Sequence, residues 1–260
     1  MEKKHIYLSA PLPFMGQKRM FVKEFRNVLA QFPDDAVYID LFGGSGLLTH
    51  VTRHEKPAAQ VIYNDFDNYR ERLNNVGRTN ILLAERILHR LEKEETTGFV
   101  DYITLSSSLL FSMKYVTSLE ALRKESLYNN VKLSDYHCAG YLDGLEIVSM
   151  DYKELVERYK QARNVVYLVD PPYLSTEVGT YRMRWRLSDY LDVLAILRGK
   201  SYVYFTSNKS DILELCQWIG ANHWIGNPFH EATKVEMPRT MNYNSSYTDI
   251  MLYKKELNNE

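Results

Sequence analysis

Short apolar runs without polar interruption punctuate the chain, separated by stretches in which apolar residues recur every three or four positions. Val165-Val166-Tyr167-Leu168-Val169 is the strongest of these runs. Five consecutive hydrophobic residues with no alternation predict a strand buried on both faces, as in the middle of a parallel sheet. Shorter or less continuous apolar stretches at Ala36–Ile39, Gln60–Tyr63, Leu145–Met150 and Tyr202–Thr206 predict further strands. Amphipathic spacing predicts helices over Met20–Phe32, from about Leu47, after Asp151 to about Arg163, and from Leu213 to Ile219. Two closing strands are expected near Asn222–Ile225 and Thr248–Tyr253. The loop between them, Pro228–Tyr247, reads as polar and mobile. The α/β rhythm breaks from Tyr69 to Asp143, where helical spacing persists and no convincing strand is visible for roughly seventy residues. The expectation is an α/β fold with a Rossmann-like sheet of seven strands and an inserted, mainly helical domain. Residues 1–68 and 144–260 form the sheet domain and 69–143 the insertion. Leu127–Leu142 is the one candidate for a hairpin within it.

Composition narrows the function classes. Hydrophobic residues make up 45% and charged residues 25%, ordinary for a globular protein, and no apolar run is long enough to span a bilayer. Two cysteines, Cys138 and Cys216, lack metal-ligand spacing, so no zinc site or disulfide framework is expected and a reducing, cytoplasmic setting is favoured. The formal net charge is −1, so any affinity for nucleic acid must come from local positive patches. The insertion is also balanced in charge and does not announce itself as nucleic-acid binding.

Chemistry concentrates where the apolar runs end. The central run stops at Asp170-Pro171-Pro172-Tyr173. Neither proline can continue the ladder, so a carboxylate, a proline carbonyl and an aromatic ring meet at a strand's carboxyl end, where open α/β sheets bind ligands. The first run leads into Asp40-Leu41-Phe42-Gly43-Gly44-Ser45-Gly46. Its glycines allow positive φ and close ligand approach, while Asp40 would repel a pyrophosphate and suits an ammonium. The second run ends in Asn64-Asp65-Phe66-Asp67, with an acid where Rossmann-like sheets hold ribose hydroxyls. Asp67 reads as the cap of the next helix, and Asp151 also reads as an N-cap. Arg182, Arg184 and Arg186 alternate within a cationic, aromatic run after the central motif and suit phosphate contact.

Taken in order, these motifs resemble the Dam-like (D12 class) DNA adenine-N6 methyltransferases, which depend on S-adenosylmethionine. Asp40-x-Phe42-x-Gly44-x-Gly46 matches that family's cofactor motif, and Asp170-Pro171-Pro172-Tyr173 its catalytic motif. The resemblance runs from Phe14 to about Asn208. It implies that Phe14 and Lys18 line the methionine end of the cofactor, although the family commonly has Gly-Gly before the lysine and this chain has Gly16-Gln17. It implies further that Asp40, Phe42, Gly43, Gly44 and Gly46 cradle S-adenosylmethionine. Asp65 would bind its ribose and Phe66 its adenine, with Asp151 and Tyr152 bordering the adenine. The insertion would be the target-recognition domain, acting on double-stranded DNA beside a restriction enzyme or alone.

The implied chemistry needs no metal. Asp170 and the Pro171 carbonyl would accept the two N6 hydrogens of a flipped-out adenine as positive charge grows on the nitrogen. Pro172 would stiffen the loop and Tyr173 would stack on the base. Two alternatives stay open: a ribosomal RNA adenine-N6 methyltransferase and a catalytically silent nucleic-acid-binding partner.

Overall fold

The computed structural model describes residues 6–84, 90–111, 114–127, 135–172, 185–221, 227–242 and 245–255. A single 3-10 turn, Arg19–Phe21, opens helix α1 (Val22–Leu29), and β1 (Val37–Asp40), α2 (Leu47–Glu55) and β2 (Gln60–Asn64) follow. Five short helices come next: α3 (Tyr69–Asn74), α4 (Val76–Ala84), α5 (Leu91–Thr97), α6 (Tyr102–Leu109) and α7 (Leu119–Arg123). The alternation then resumes with β3 (Glu146–Val148), α8 (Tyr152–Arg158), β4 (Val165–Val169), α9 (Leu187–Leu197), β5 (Ser201–Ser207) and α10 (Ile212–Ala221). A hairpin of β6 (Thr233–Asn242) and β7 (Ser245–Lys254) completes a seven-stranded sheet of order β3-β2-β1-β4-β5-β7-β6. The first five strands in that order are parallel, and β7 inserts antiparallel between β5 and β6.

The unbroken apolar run of β4 has a direct cause. Val166 and Leu168 pack with α1 and α2 on one face, and Tyr167 and Val169 pack with α8 and α9 on the other. Both faces are covered, so no position can be polar. On α1, Val22, Phe25, Val28 and Leu29 form one buried stripe against Phe205 and Met251. All five parallel strands therefore end at one edge, and the connections from those ends build the site.

One sequence expectation needs correction, and two others lie wholly or partly outside the described residues. The stretch read as a mobile loop forms strand β6, while Asn222–Ile225 lies outside the described residues and α10 runs up to it. Val235 and Met237 face the core, but Lys234, Glu236 and Pro238 stand between and after them on the exposed side. That composition reads as loop, yet β6 is the outermost strand, where charged residues and a proline are tolerated. The proposed hairpin at Leu127–Leu142 lies partly outside the described residues, and 135–142 form turns without a strand.

Between β2 and β3, the described residues contain helices and no strand. Leu82, Leu83, Leu91, Leu105, Leu109 and Leu122 give this block an apolar cluster of its own. The buried Arg72–Asp101 pair ties it to the amino-terminal loop: Arg72 Nε sits 3.0 Å from Asp101 Oδ2, and Nη2 donates to the Pro13 carbonyl at 2.7 Å. No helix among the described residues is long and apolar enough to cross a membrane.

Candidate active site

A cleft, about 870 Å³ when the space open to solvent is included, lies at the carboxyl ends of β1, β2, β3 and β4. The turn after β1 forms its floor. Gly43 is forced by packing, since a Cβ there would lie 2.3 Å from the Tyr63 ring and 2.6 Å from the Asn64 carbonyl. Gly46 has φ of +71° and donates its N–H to the Gly43 carbonyl at 2.8 Å, closing the turn that starts α2. Phe42, Gly43 and Gly44 line the cleft, whereas Gly46 shapes the turn from behind, against Tyr63 and Leu142.

Asp40 lies at the tip of β1, just before the lining residues Leu41 and Phe42, and is only 1% exposed. Its Oδ1 accepts the Phe42 N–H at 3.3 Å, and Oδ2 has no hydrogen-bond partner among the described residues. Burial, reinforced by the nearby Asp170 charge, pushes its carboxyl up to about 8. An orphaned buried carboxylate oxygen beneath a cleft is what a bound ammonium group would satisfy.

Asp170 follows β4 and lines the same cleft. Lys18, almost fully buried, reaches across from the amino-terminal loop, with Nζ 2.6 Å from Asp170 Oδ2 and 2.8 Å from the Gly16 carbonyl. Oδ1 of Asp170 carries no hydrogen bond among the described residues, and the side chain keeps 21% of its exposure. Burial raises the Asp170 pKa, and the Lys18 ammonium opposes that rise. Pro171 and Pro172 are both buried, and Pro172 lines the cleft. Tyr173, Arg182 and Arg184 lie outside the described residues.

An aromatic wall closes the far side. Tyr152 stacks on Trp185 with centroids 5.7 Å apart, and Phe42 meets Trp185 edge-on at 5.1 Å. Asp151 caps α8 by accepting the Lys153 N–H at 2.8 Å, and it lines the cleft as well. Phe14 and Phe66 also line the cleft.

The carboxylates after β2 exchange their expected places. Asp65 does not line the cleft. It is 5% exposed and turned inward, where Oδ1 accepts the Tyr69 N–H at 2.6 Å and Oδ2 the Arg70 N–H at 2.9 Å. Asp65 therefore caps α3, and Asp67, read as the cap, lines the cleft instead. The cause is the chain reversal after β2, where Asn68 adopts φ of +56° and swings the first amides of α3 back over Asp65. Arg186 stands outside the cleft, exposed at the start of α9, its N–H donating to Asp189 Oδ2 at 2.8 Å. Asn208 serves the sheet, exchanging two hydrogen bonds with Thr248.

Asn64 and Trp185 are among the lining residues that carried no expectation. Asn64 braces three strand ends, donating to the Leu41 and Met150 carbonyls at 3.0 Å each and accepting the Met150 N–H at 3.1 Å. An amide side chain closing an otherwise apolar strand was the available signal. Trp185 was hidden in a run read for its arginines.

No family model matches the chain. A Haemophilus influenzae protein described as "Putative methyltransferase" is 36% identical, over 98% of this chain and 95% of its own length. Among solved structures, a SAM-dependent methyltransferase from Agrobacterium tumefaciens aligns at 12% identity with a TM-score of 0.43, over 90% of this chain and 61% of that one. An rRNA methylase from Streptococcus thermophilus aligns at 12% identity with a TM-score of 0.36, over 91% and 95% of the two chains.

Proposed function

The chain belongs to a methyltransferase family, and from that premise we propose that it transfers a methyl group from S-adenosylmethionine to the N6 amino group of a flipped-out adenine in DNA. The observation that carries this reading is the pairing of two carboxylates at adjacent strand ends. Among the described residues, Asp40 has an unpartnered buried oxygen, while Asp170 is held by Lys18 through one oxygen and has no hydrogen bond on the other. The first suits a cationic amino acid moiety and the second suits an amino hydrogen.

When bound, S-adenosylmethionine supplies a sulfonium methyl. Asp40 would hold its ammonium, Asp67 would accept from its hydroxyls, and Phe66, Asp151 and Tyr152 would border its adenine. The remaining work falls to the chain itself. An exocyclic adenine nitrogen is a poor nucleophile because its lone pair is delocalised into the ring. Asp170 Oδ1 and the Pro171 carbonyl each accept one of its hydrogens, and both bonds strengthen as the nitrogen gains positive charge. Lys18 opposes the burial-driven rise in the Asp170 pKa and fixes the carboxylate's rotamer. Buried consecutive prolines stiffen the backbone that presents the second acceptor, which fixes the approach angle. A base within a duplex cannot reach such an edge, so the nucleotide leaves the stack. The helical block at 69–143 is the part of the chain available to choose the site.

The test is methyl transfer from labelled S-adenosylmethionine to unmethylated duplex DNA and, in parallel, to ribosomal RNA, followed by digestion to nucleosides. The expected product is N6-methyladenine from DNA. Label confined to RNA would transfer the substrate while keeping the chemistry, and label in neither would overturn the proposal.

A further inference from the structure

The overall charge of −1 gives a nucleic acid no general attraction, so the cations without partners matter more than the total. One exposed stripe on the first helix stands out. Arg19, Lys23 and Arg26 recur at i, i+4 and i+7, spacing that places them on one face. Arg26 is paired with Glu55 at 2.6 Å, while Arg19 and Lys23 have no ion-pair partner among the described residues. The stripe starts directly after Lys18, the residue that grips Asp170.

A chain of adjoining hollows connects this stripe to the catalytic cleft. The groove along α1 shares Arg19 with a second hollow, between the amino-terminal loop and the helical block. That hollow shares Phe14 and Tyr115 with a third, which also holds Phe99 and Tyr102. The third shares Phe14, Met15 and Asp67 with the cleft itself. Arg19 and Lys23 stand at one end, aromatic side chains with the carboxylates Glu71 and Asp67 line the middle, and the reacting edge lies at the other end, so phosphates belong on the cations at the entrance and bases against the rings.

We propose that this path is a track for one nucleic-acid strand, with Arg19 and Lys23 holding its sugar–phosphate backbone as it approaches the catalytic cleft. The proposal rests on the nucleic-acid reading above and adds where that partner lies. It places part of the strand's grip on the sheet domain, outside the helical block. Arg19 and Lys23 carry the charge, and the half-buried Tyr115 and Phe99 offer ring faces beside the cleft.

The experiment is equilibrium binding of a fluorescein-labelled, adenine-containing single-stranded oligonucleotide across a salt series, which needs no methyl transfer. Wild type, the Arg19→Ala/Lys23→Ala double variant and Arg163→Ala are compared, each checked by thermal melting and by S-adenosylmethionine binding. Arg163 precedes β4 at the opposite edge of the sheet and serves as the charge control. Two lost phosphate contacts should flatten the log–log salt slope by about 1.4 for a single strand. That change in the double variant, with the Arg163→Ala slope unchanged and cofactor binding intact, is the expected result. An unchanged slope in the double variant, or no oligonucleotide binding by wild type, overturns the track. A flattened slope in a protein that methylates no adenine would sustain the track while removing the functional reading, so the two can fail separately.

Discussion

Replacing Lys18 by Met removes the charge that steadies Asp170 while keeping most of the side-chain volume. The Lys18 and Asp170 side chains are 7% and 21% exposed, with 2.6 Å between Nζ and Oδ2. Breaking a fully buried pair by deleting one partner costs about 3–5 kcal/mol; because Asp170 retains some solvent, about 2–3 kcal/mol is the appropriate expectation. The larger consequence is protonation. Burial already raises the Asp170 pKa, Asp249 adds to the rise, and Lys18 holds it down. Without Lys18 the carboxyl moves further up, so at neutral pH it is increasingly protonated and no longer offers the same acceptor. Below that new pKa the rate falls tenfold for each unit of upward shift. The sign for stability follows as well. A carboxyl whose folded pKa lies above its unfolded value favours the folded state at low pH and loses that contribution as pH rises through the window between the two. The variant should therefore lose more stability than wild type between acidic and alkaline pH. The assay is a single-turnover pH–rate profile alongside thermal melts at the same pH values. The acidic limb should move to higher pH in Lys18→Met, and adding Asp170→Asn should recover stability without recovering activity. An acidic limb that stays in place would refute the assigned role of Lys18.

The other predictions concern the cofactor end of the cleft. Asp40 is held neutral up to about pH 8, and a cationic ligand must ionise it; S-adenosylmethionine affinity should therefore rise from pH 6 to about 8, with proton release detectable by calorimetry in buffers of different ionisation enthalpy. Above that, the ligand's own α-amino group, with a pKa of about 8, loses its charge and affinity declines. Asp40→Asn should lose the rising limb, and a pH-independent wild-type affinity would contradict this. Asp67→Asn should weaken cofactor binding with little change in melting temperature, whereas Asp65→Asn should destabilise the fold by about 1 kcal/mol through the lost α3 cap; the reverse pattern in titrations and melts would restore the ribose to Asp65. Gly43→Ala drives a methyl group into the Tyr63 ring and the Asn64 carbonyl, which should cost about 1–3 kcal/mol in chemical denaturation, and a neutral substitution would show that the turn yields more easily than its packing indicates.

Where both faces of a strand are covered, the sequence was legible. The five parallel strands appear as apolar runs because residues such as Tyr167 and Leu168 enter different cores. Strand β6 was not legible, because only Val235 and Met237 meet the core and edge position excuses their polar neighbours and Pro238. Spacing located the site at the strand ends, but not which side chain faces in. Asp65 and Asp67 are two residues apart, and the turn at Asn68 decides between cap and cleft. Trp185 reaches the cleft through stacking on Tyr152, a contact between elements distant in sequence and visible only after folding. The Lys18–Asp170 pair spans 152 positions, and the motifs implied its members without implying the bond.

The most direct test of the central claim is single-turnover methyl transfer by Asp170→Ala, measured with S-adenosylmethionine binding and circular dichroism on the same preparation. The account predicts a folded protein that binds the cofactor and transfers no methyl group to adenine. Transfer at the wild-type rate would contradict the assignment of Asp170 as the acceptor of the N6 hydrogen.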